Sequence, residues 1–164
     1  MGTNPSDHQH DPLRPHSHEP NPQPPGGDPT IRFEFPTRAE TLIAVADLLR
    51  LPQVVLADCF IVSTGHGTSG PFTFGGPTLL SVIEAQVDTS TSWSQVEVVS
   101  ADGFGTRIER AELLNPTDSR PIILACQLNG AVLTRQQGLV RLIVPSEHDD
   151  ALRQVKWIAV IRVK

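Results

Sequence analysis

Apolar and polar residues alternate through "IRFEF", Ile31 to Phe35, and a period of two predicts a strand. "TRAE", Thr37 to Glu40, matches the capping-box spacing and predicts a helix start at Thr37. A short helix is expected from about Val45 to Leu51, closed by Pro52. "VVLADCFIV", Val54 to Val62, is almost continuously apolar and reads as a buried strand. In "PTLLSVIEA" the apolar residues return at helical spacing, with Pro77 suited to a first helical position. Strand patterns then follow in "SQVEVVSA", "FGTRIE", "PIILACQL", "GLVRLIVP" and "VKWIAVIRV". Asp102-Gly103 and Asn129-Gly130 are pairs that favour tight hairpins. Helices are few and short, and strands mostly follow one another directly. That order predicts an α+β fold with mixed or largely antiparallel sheets.

The first thirty of the 164 residues depart from this pattern. They hold eight of the fifteen prolines and four of the six histidines, with almost no aliphatic side chains. Such a segment buries too little apolar surface to offset its ordering entropy. Residues 1–29 are therefore expected to be a disordered Pro/His-rich tail, and residues 30–164 a single domain. The tail histidines lack the supporting shell that fixes metal geometry, so no defined metal site is expected there.

The net charge is −5 and the basic residues are scattered, which argues against a nucleic-acid partner. No apolar run reaches the roughly 20 residues needed to cross a bilayer. The start lacks a basic segment followed by an apolar one, so no secretory signal is expected and the location is expected to be cytoplasmic. Cys59 and Cys126 sit in apolar runs and are expected to be reduced, packed thiols.

"STGHGTSGPFTFGG", Ser63 to Gly76, carries five glycines. Gly65, Gly67 and Gly70 fit the dinucleotide spacing, but "PFTFGG" follows where that motif needs a helix. "GTSGP" approaches the nucleophile elbow around Ser69, but Pro71 stands where its last glycine belongs. Two readings remain. Consecutive bare amides can form an anion-binding nest, with His66, Thr68 and Ser69 as further donors. Alternatively, the glycines only permit a tight turn.

From Asp102 onward the residues fall into an order that resembles the molybdopterin-binding domain of the sulfite oxidase family. The residues that carry the likeness are Asp102-Gly103, Leu124-Ala125, Asn129-Gly130 with Leu133, Gly138 with Arg141, Val144-Pro145 and Lys156-Trp157. Upstream, "LRLPQ" and "FGGPTLLSVI" extend the resemblance to about Ile31. The chain departs from the family pattern at Gln137, Val140 and Ser146, where a histidine, a proline and a glycine are usual.

The resemblance implies a minimal sulfite oxidase-like fold and a molybdopterin cofactor, in a chain without a haem domain. It implies oxidoreductase chemistry, or a degenerate member that binds a small anionic ligand or a protein. The residues themselves give no assignment of a catalytic group or an oligomeric state. Cofactor contacts are expected from Ser63, Thr64, Gly65, His66, Gly67, Thr68, Arg141 and Lys156.

Physical chemistry supports part of this independently. A guanidinium inside an apolar strand, as at Arg141, demands an acceptor, either an anion or an internal carboxylate, unless it faces outward. Lys156 is either a second positive charge there or an ordinary exposed lysine. Trp157 is expected in the core. The family's metal-binding cysteine falls near Val62 or Ser63 in this chain. Cys59 lies up to four residues too early, about 13 Å along a strand, and is expected to pack rather than ligate.

Overall fold

The computed structural model describes residues 29–63, 67–88, 90–116, 119–145 and 154–164, without the side chains of residues 62, 63, 67 and 68. The expected tail, residues 1–29, lies outside the described residues except for Pro29.

The described elements run β1 (Ile31–Glu34), β2 (Thr41–Ile43), α1 (Val45–Arg50), β3 (Val54–Ser63), β4 (Gly67–Gly76), α2 (Leu79–Gln86), β5 (Gln95–Ser100), β6 (Gly105–Glu109) and α3 (Arg110–Leu114). They continue with β7 (Ile123–Ala125), β8 (Gln127–Leu128), β9 (Ala131–Val132), β10 (Arg141–Ile143) and β11 (Ile158–Val163). The strands make a five-stranded sheet in the order β2-β1-β11-β5-β6, a four-stranded sheet β3-β4-β8-β9 and a two-stranded ribbon β10-β7. Among the described residues only the β1–β11 pairing is parallel. The fold is the expected α+β architecture with three short helices.

The ribbon lies between two cores. Strand side chains alternate between faces, and here the alternation separates the clusters cleanly. Leu124, Cys126, Val140, Leu142 and Val144 join the larger core with Ile31, Phe33, Val96, Val98 and Ile161 of the five-stranded sheet. Ile123, Ala125 and Ile143 join a smaller core with Leu56, Cys59, Phe74 and Leu133 beside the four-stranded sheet. Arg141 is two residues from Ile143 and pairs in register with Ala125. It therefore belongs to the face of the smaller core.

Both hairpin dipeptides form turns as expected. Gly103 has φ +95° between β5 and β6, and Asn129 (φ +49°) and Gly130 (φ +86°) join β8 to β9. Helix α1 begins at Val45, and the Asp47 carboxylate accepts the Ala44 N–H at 2.9 Å. At its far end the Gln53 amide donates to the Leu48 and Leu51 carbonyls, and Pro52 prevents continuation.

Four expectations are corrected. No helix starts at Thr37: residues 36–38 bend and β2 follows at Thr41. Glu40 instead lies 3.4 Å from Arg32. Pro77 lies two positions before the first residue of α2, just ahead of the N-cap Thr78, whose hydroxyl accepts the Ser81 N–H at 3.1 Å. Strand β3 is not buried throughout. It is the edge of its sheet, so Val55 (68% exposed) and Phe60 (47%) face outward while Leu56 and Cys59 pack inside. Finally, the glycine-rich stretch from Gly67 onward is neither a nest nor a turn but a strand. Gly67 to Gly76 is strand β4, paired antiparallel to β3 from Val54↔Gly76 to Ser63↔Gly67. Its last glycine has a steric reason. A Cβ on Gly76 would run into the Leu124 carbonyl, because β4 passes directly against β7 there.

Candidate functional site

The site is built around the turn that leads into β10. Residues 134–139 are closed by the Gln137, Gly138 and Leu139 N–H groups, which donate to the Thr134 and Arg135 carbonyls. Gly138 (φ +109°) and Leu139 (φ +57°) both adopt left-handed backbone. Across from them, Trp157 is left-handed as well (φ +50°). Its N–H donates to the Gly138 carbonyl at 2.9 Å, its own carbonyl accepts from Ala101, and its indole N–H donates to the Arg135 carbonyl. Such backbone costs roughly 1 kcal/mol or more per residue and persists where the surroundings over-determine it. Here two chain segments fix each other.

This arrangement brings Arg141 and Lys156 together. A Cβ on Gly138 would stand 2.8 Å from the Lys156 Cβ and 3.1 Å from the Arg141 Cγ, so the two stems flank the bare glycine. The Arg141 guanidinium lies over the Phe74 ring at 5.6 Å. The Lys156 ammonium lies 4.4 Å from the Trp157 ring centroid. Both are favourable cation–aromatic contacts, but neither is a counter-charge. The polar contact found for Arg141 is a long one, 3.4 Å from Nη1 to the Gln137 carbonyl. Its Nε is buried without a hydrogen-bond partner. Among the described residues no carboxylate lies within ion-pair distance of either cation. Burial pulls the Arg141 pKa down to about 10. Burial, and then the neighbouring Arg141, lower that of Lys156, with Asp102 opposing weakly. Two neighbouring cations beside an orphaned N–H have the chemistry to accept an anion with several acceptor oxygens.

Cys59 shares the smaller core with Phe74. Its thiol is 5% exposed and donates to the Leu56 carbonyl at 3.4 Å. Burial raises its pKa, against the opposing pull of Arg120, whose Nη2 is 3.6 Å from the sulfur. It is a packed thiol held in its protonated form. Cys126 is buried and free as well, with its pKa pushed up to about 12 by burial. Among the described residues no group of three or more His, Cys, Asp or Glu side chains is placed to hold a metal.

The structure thus brings together two of the expected site residues, Arg141 and Lys156. Thr64, Gly65 and His66 lie outside the described residues, as do the side chains of Ser63, Gly67 and Thr68. Their hairpin shares β4 with Phe74, the ring beneath Arg141. Sequence reasoning missed the roles of Gly138, Phe74 and the Trp157 hydrogen bonds. The Gly138-x-x-Arg141 spacing was visible, but nothing in the sequence says that Lys156 packs on the same glycine.

A concavity of 430 Å³ lies at the other end of β11 and is lined by Glu34, Phe35, Arg38, Glu40, Arg162 and Lys164 among others. Most of its charges are already matched, and the Arg38 guanidinium lies over the Phe35 ring. Arg162 pairs with Glu34 and Glu97, Lys164 with Glu97, and Arg32 with Glu34 and Glu40. The unmatched pair at Arg141 is the better candidate site.

The fold is thus an α+β arrangement of mixed sheets that sets two half-buried cations, Arg141 and Lys156, side by side without a carboxylate partner among the described residues. The profile of the oxidoreductase molybdopterin-binding domain family matches residues 30–164, and the chain belongs to that family. Among solved structures it is similar to the sulfane dehydrogenase SoxCD from Paracoccus pantotrophus, with a TM-score of 0.64 and 20% sequence identity. That likeness covers 82% of this chain and 37% of the other, so this chain spans little more than a third of its length. The sulfite oxidase-like fold expected from the sequence is the observed one. No curated protein matches the chain in sequence. Among the described residues no helix is long and apolar enough to cross a membrane.

Proposed function

We propose that the domain binds a molybdopterin cofactor, with Arg141 and Lys156 holding its anionic phosphate and the β3–β4 hairpin, Ser63 to Thr68, approaching the flat ring system. The observation that carries this reading is the buried Arg141 Nε, which has neither a hydrogen-bond partner nor a carboxylate among the described residues. A buried unpaired cation is costly, and an anionic ligand removes that cost. Lys156, whose stem packs against the same glycine as that of Arg141, contributes a second charge. Phe74 and Trp157 exclude water from the two cations and so strengthen their pull on the anion. When bound, the molybdenum centre of such a cofactor supplies two-electron redox chemistry, and the protein supplies binding and orientation.

One observation favours a second reading, a cofactor- or anion-binding member without that redox activity. Cys59 is buried as a thiol and donates to carbonyls, which does not suit a metal-ligating thiolate. Purification of the full chain from a host that makes the cofactor separates the readings. Stoichiometric molybdenum with the fluorescence of oxidised pterin supports the oxidoreductase. Pterin without metal supports the binding module. Absence of both, in wild type and Arg141→Met alike, removes the cofactor reading.

A further inference from the structure

The clamp around Trp157 has more hydrogen bonds than a core residue needs. Its ring is 4% exposed and fills space as any buried aromatic would. Yet its backbone is left-handed, which a bulky residue adopts only when held there. Three hydrogen bonds hold it: the N–H to the Gly138 carbonyl, the carbonyl from the Ala101 N–H, and the indole N–H to the Arg135 carbonyl. Two of the three tie it to the turn that carries Gly138 and opens β10. The residue before it is Lys156, and the Lys156 ammonium rests on its ring. Moving Trp157 therefore moves Lys156 relative to Arg141.

We infer that Trp157 is a positioning residue for anion binding, fixing Lys156 and Arg141 on the two flanks of Gly138 so that both reach one anion. This rests on the anion-binding reading above and adds to it the residue that sets the spacing of the two charges. Trp157→Phe keeps an aromatic ring under the ammonium and removes the indole N–H. The turn is then tethered by backbone bonds alone, and the two cations lose their fixed separation.

The test is calorimetric titration of the full chain with inorganic phosphate, from about pH 8 upward, where phosphate stays dianionic. Wild type is expected to bind, and Arg141→Met is expected not to. Trp157→Phe is expected to bind at least fivefold more weakly. It should also lose the fall in affinity with rising pH that deprotonation of Lys156 imposes on wild type. Trp93→Phe, in the larger core, should lower thermal stability without changing affinity or pH profile. If wild type binds through Arg141 while Trp157→Phe binds within twofold and keeps the pH profile, Trp157 is only core and the inference is wrong. If wild type does not bind, or Arg141→Met binds equally well, the anion site itself is wrong and the positioning role goes with it. Should Trp157→Phe fail to fold, β-(3-benzothienyl)alanine at position 157 keeps the bicyclic shape without the N–H. The same criteria then apply.

Discussion

Two groups of buried or half-buried charge stand at opposite ends of β11, and they are built on opposite plans. On the outer face of the five-stranded sheet, Glu34, Arg162, Glu97 and Arg107 are register partners on β1, β11, β5 and β6, alternating in sign. Glu97 is wholly buried, yet three cations reach it: Lys164 at 2.6 Å, Arg162 at 2.7 Å and Arg107 at 3.5 Å. Burial alone would raise its pKa. Hydrogen bonds from Lys164 and Arg162 reverse that and leave it lowered, while Glu97 in turn raises the pKa of Arg162. At the other end, Arg141 and Lys156 crowd each other, and no carboxylate among the described residues lies within ion-pair distance of either. The first cluster closes on itself and has nothing left to bind with. On the function proposed above, the second is completed by a ligand. Charge alone does not mark a site; charge without an internal partner does.

The largest effect should come from breaking the balanced cluster. Glu97→Gln leaves three cations facing a neutral amide and should cost about 3 kcal/mol, the lower end for breaking a buried pair because the partners can reach water. Urea unfolding measures it. The pH dependence has a defined sign. Because the Glu97 pKa is lowered on folding, its contribution is present above the ordinary carboxylate value and is lost as pH falls through the lower folded value. The difference between wild type and Glu97→Gln should therefore shrink in acid. If it grows in acid, the ladder is not what stabilises the sheet.

Gly138→Ala should cost about 2 kcal/mol, since a Cβ is strained at φ +109° and meets the Lys156 stem. It should also weaken anion binding, by pushing the two cations apart. Arg141→Met sharpens the contrast, because it should leave the ligand-free protein unchanged or about 1 kcal/mol more stable. A loss as large as that of Glu97→Gln would mean that Arg141 is satisfied internally. The smallest effect is expected from Cys59→Ser. A packed thiol replaced by a hydroxyl should cost about 1 kcal/mol and leave pterin content unchanged. Loss of bound molybdenum in that variant would make Cys59 a ligand after all.

The sequence carried the short-range signals well and the long-range ones poorly. Asp102-Gly103 and Asn129-Gly130 mark their hairpins because the backbone they need is written in the residues themselves. Strands β5, β6 and β11 follow from apolar periodicity. The capping-box spacing at Thr37 misled because a cap matters only if a helix follows, and Thr41 to Ile43 pairs with β1 instead. The apolar run of β3 gave no hint that one face is open, since strand burial depends on neighbours and β3 has a sheet neighbour on only one side. Helix α3 and the short strand β2 are too brief to show a period. At the site, Arg141 was legible as a cation in an apolar strand. Its proximity to Lys156, fifteen positions later, is set by the Gly138 and Trp157 backbones, and no local pattern encodes that contact.

Strand β11 occupies the middle of the five-stranded sheet, and it follows all the other described elements in chain order. Until it arrives, the β1–β2 and β5–β6 hairpins each wait with an unsatisfied edge facing an empty slot. Insertion of one strand then joins both halves and, in the same event, brings Lys156 and Trp157, just ahead of it, against Gly138 and the proposed anion site. Such a fold has no useful partial state: a nascent chain short of β11 holds neither the sheet nor the site, and a chaperone that shields those two edges would be guarding both at once.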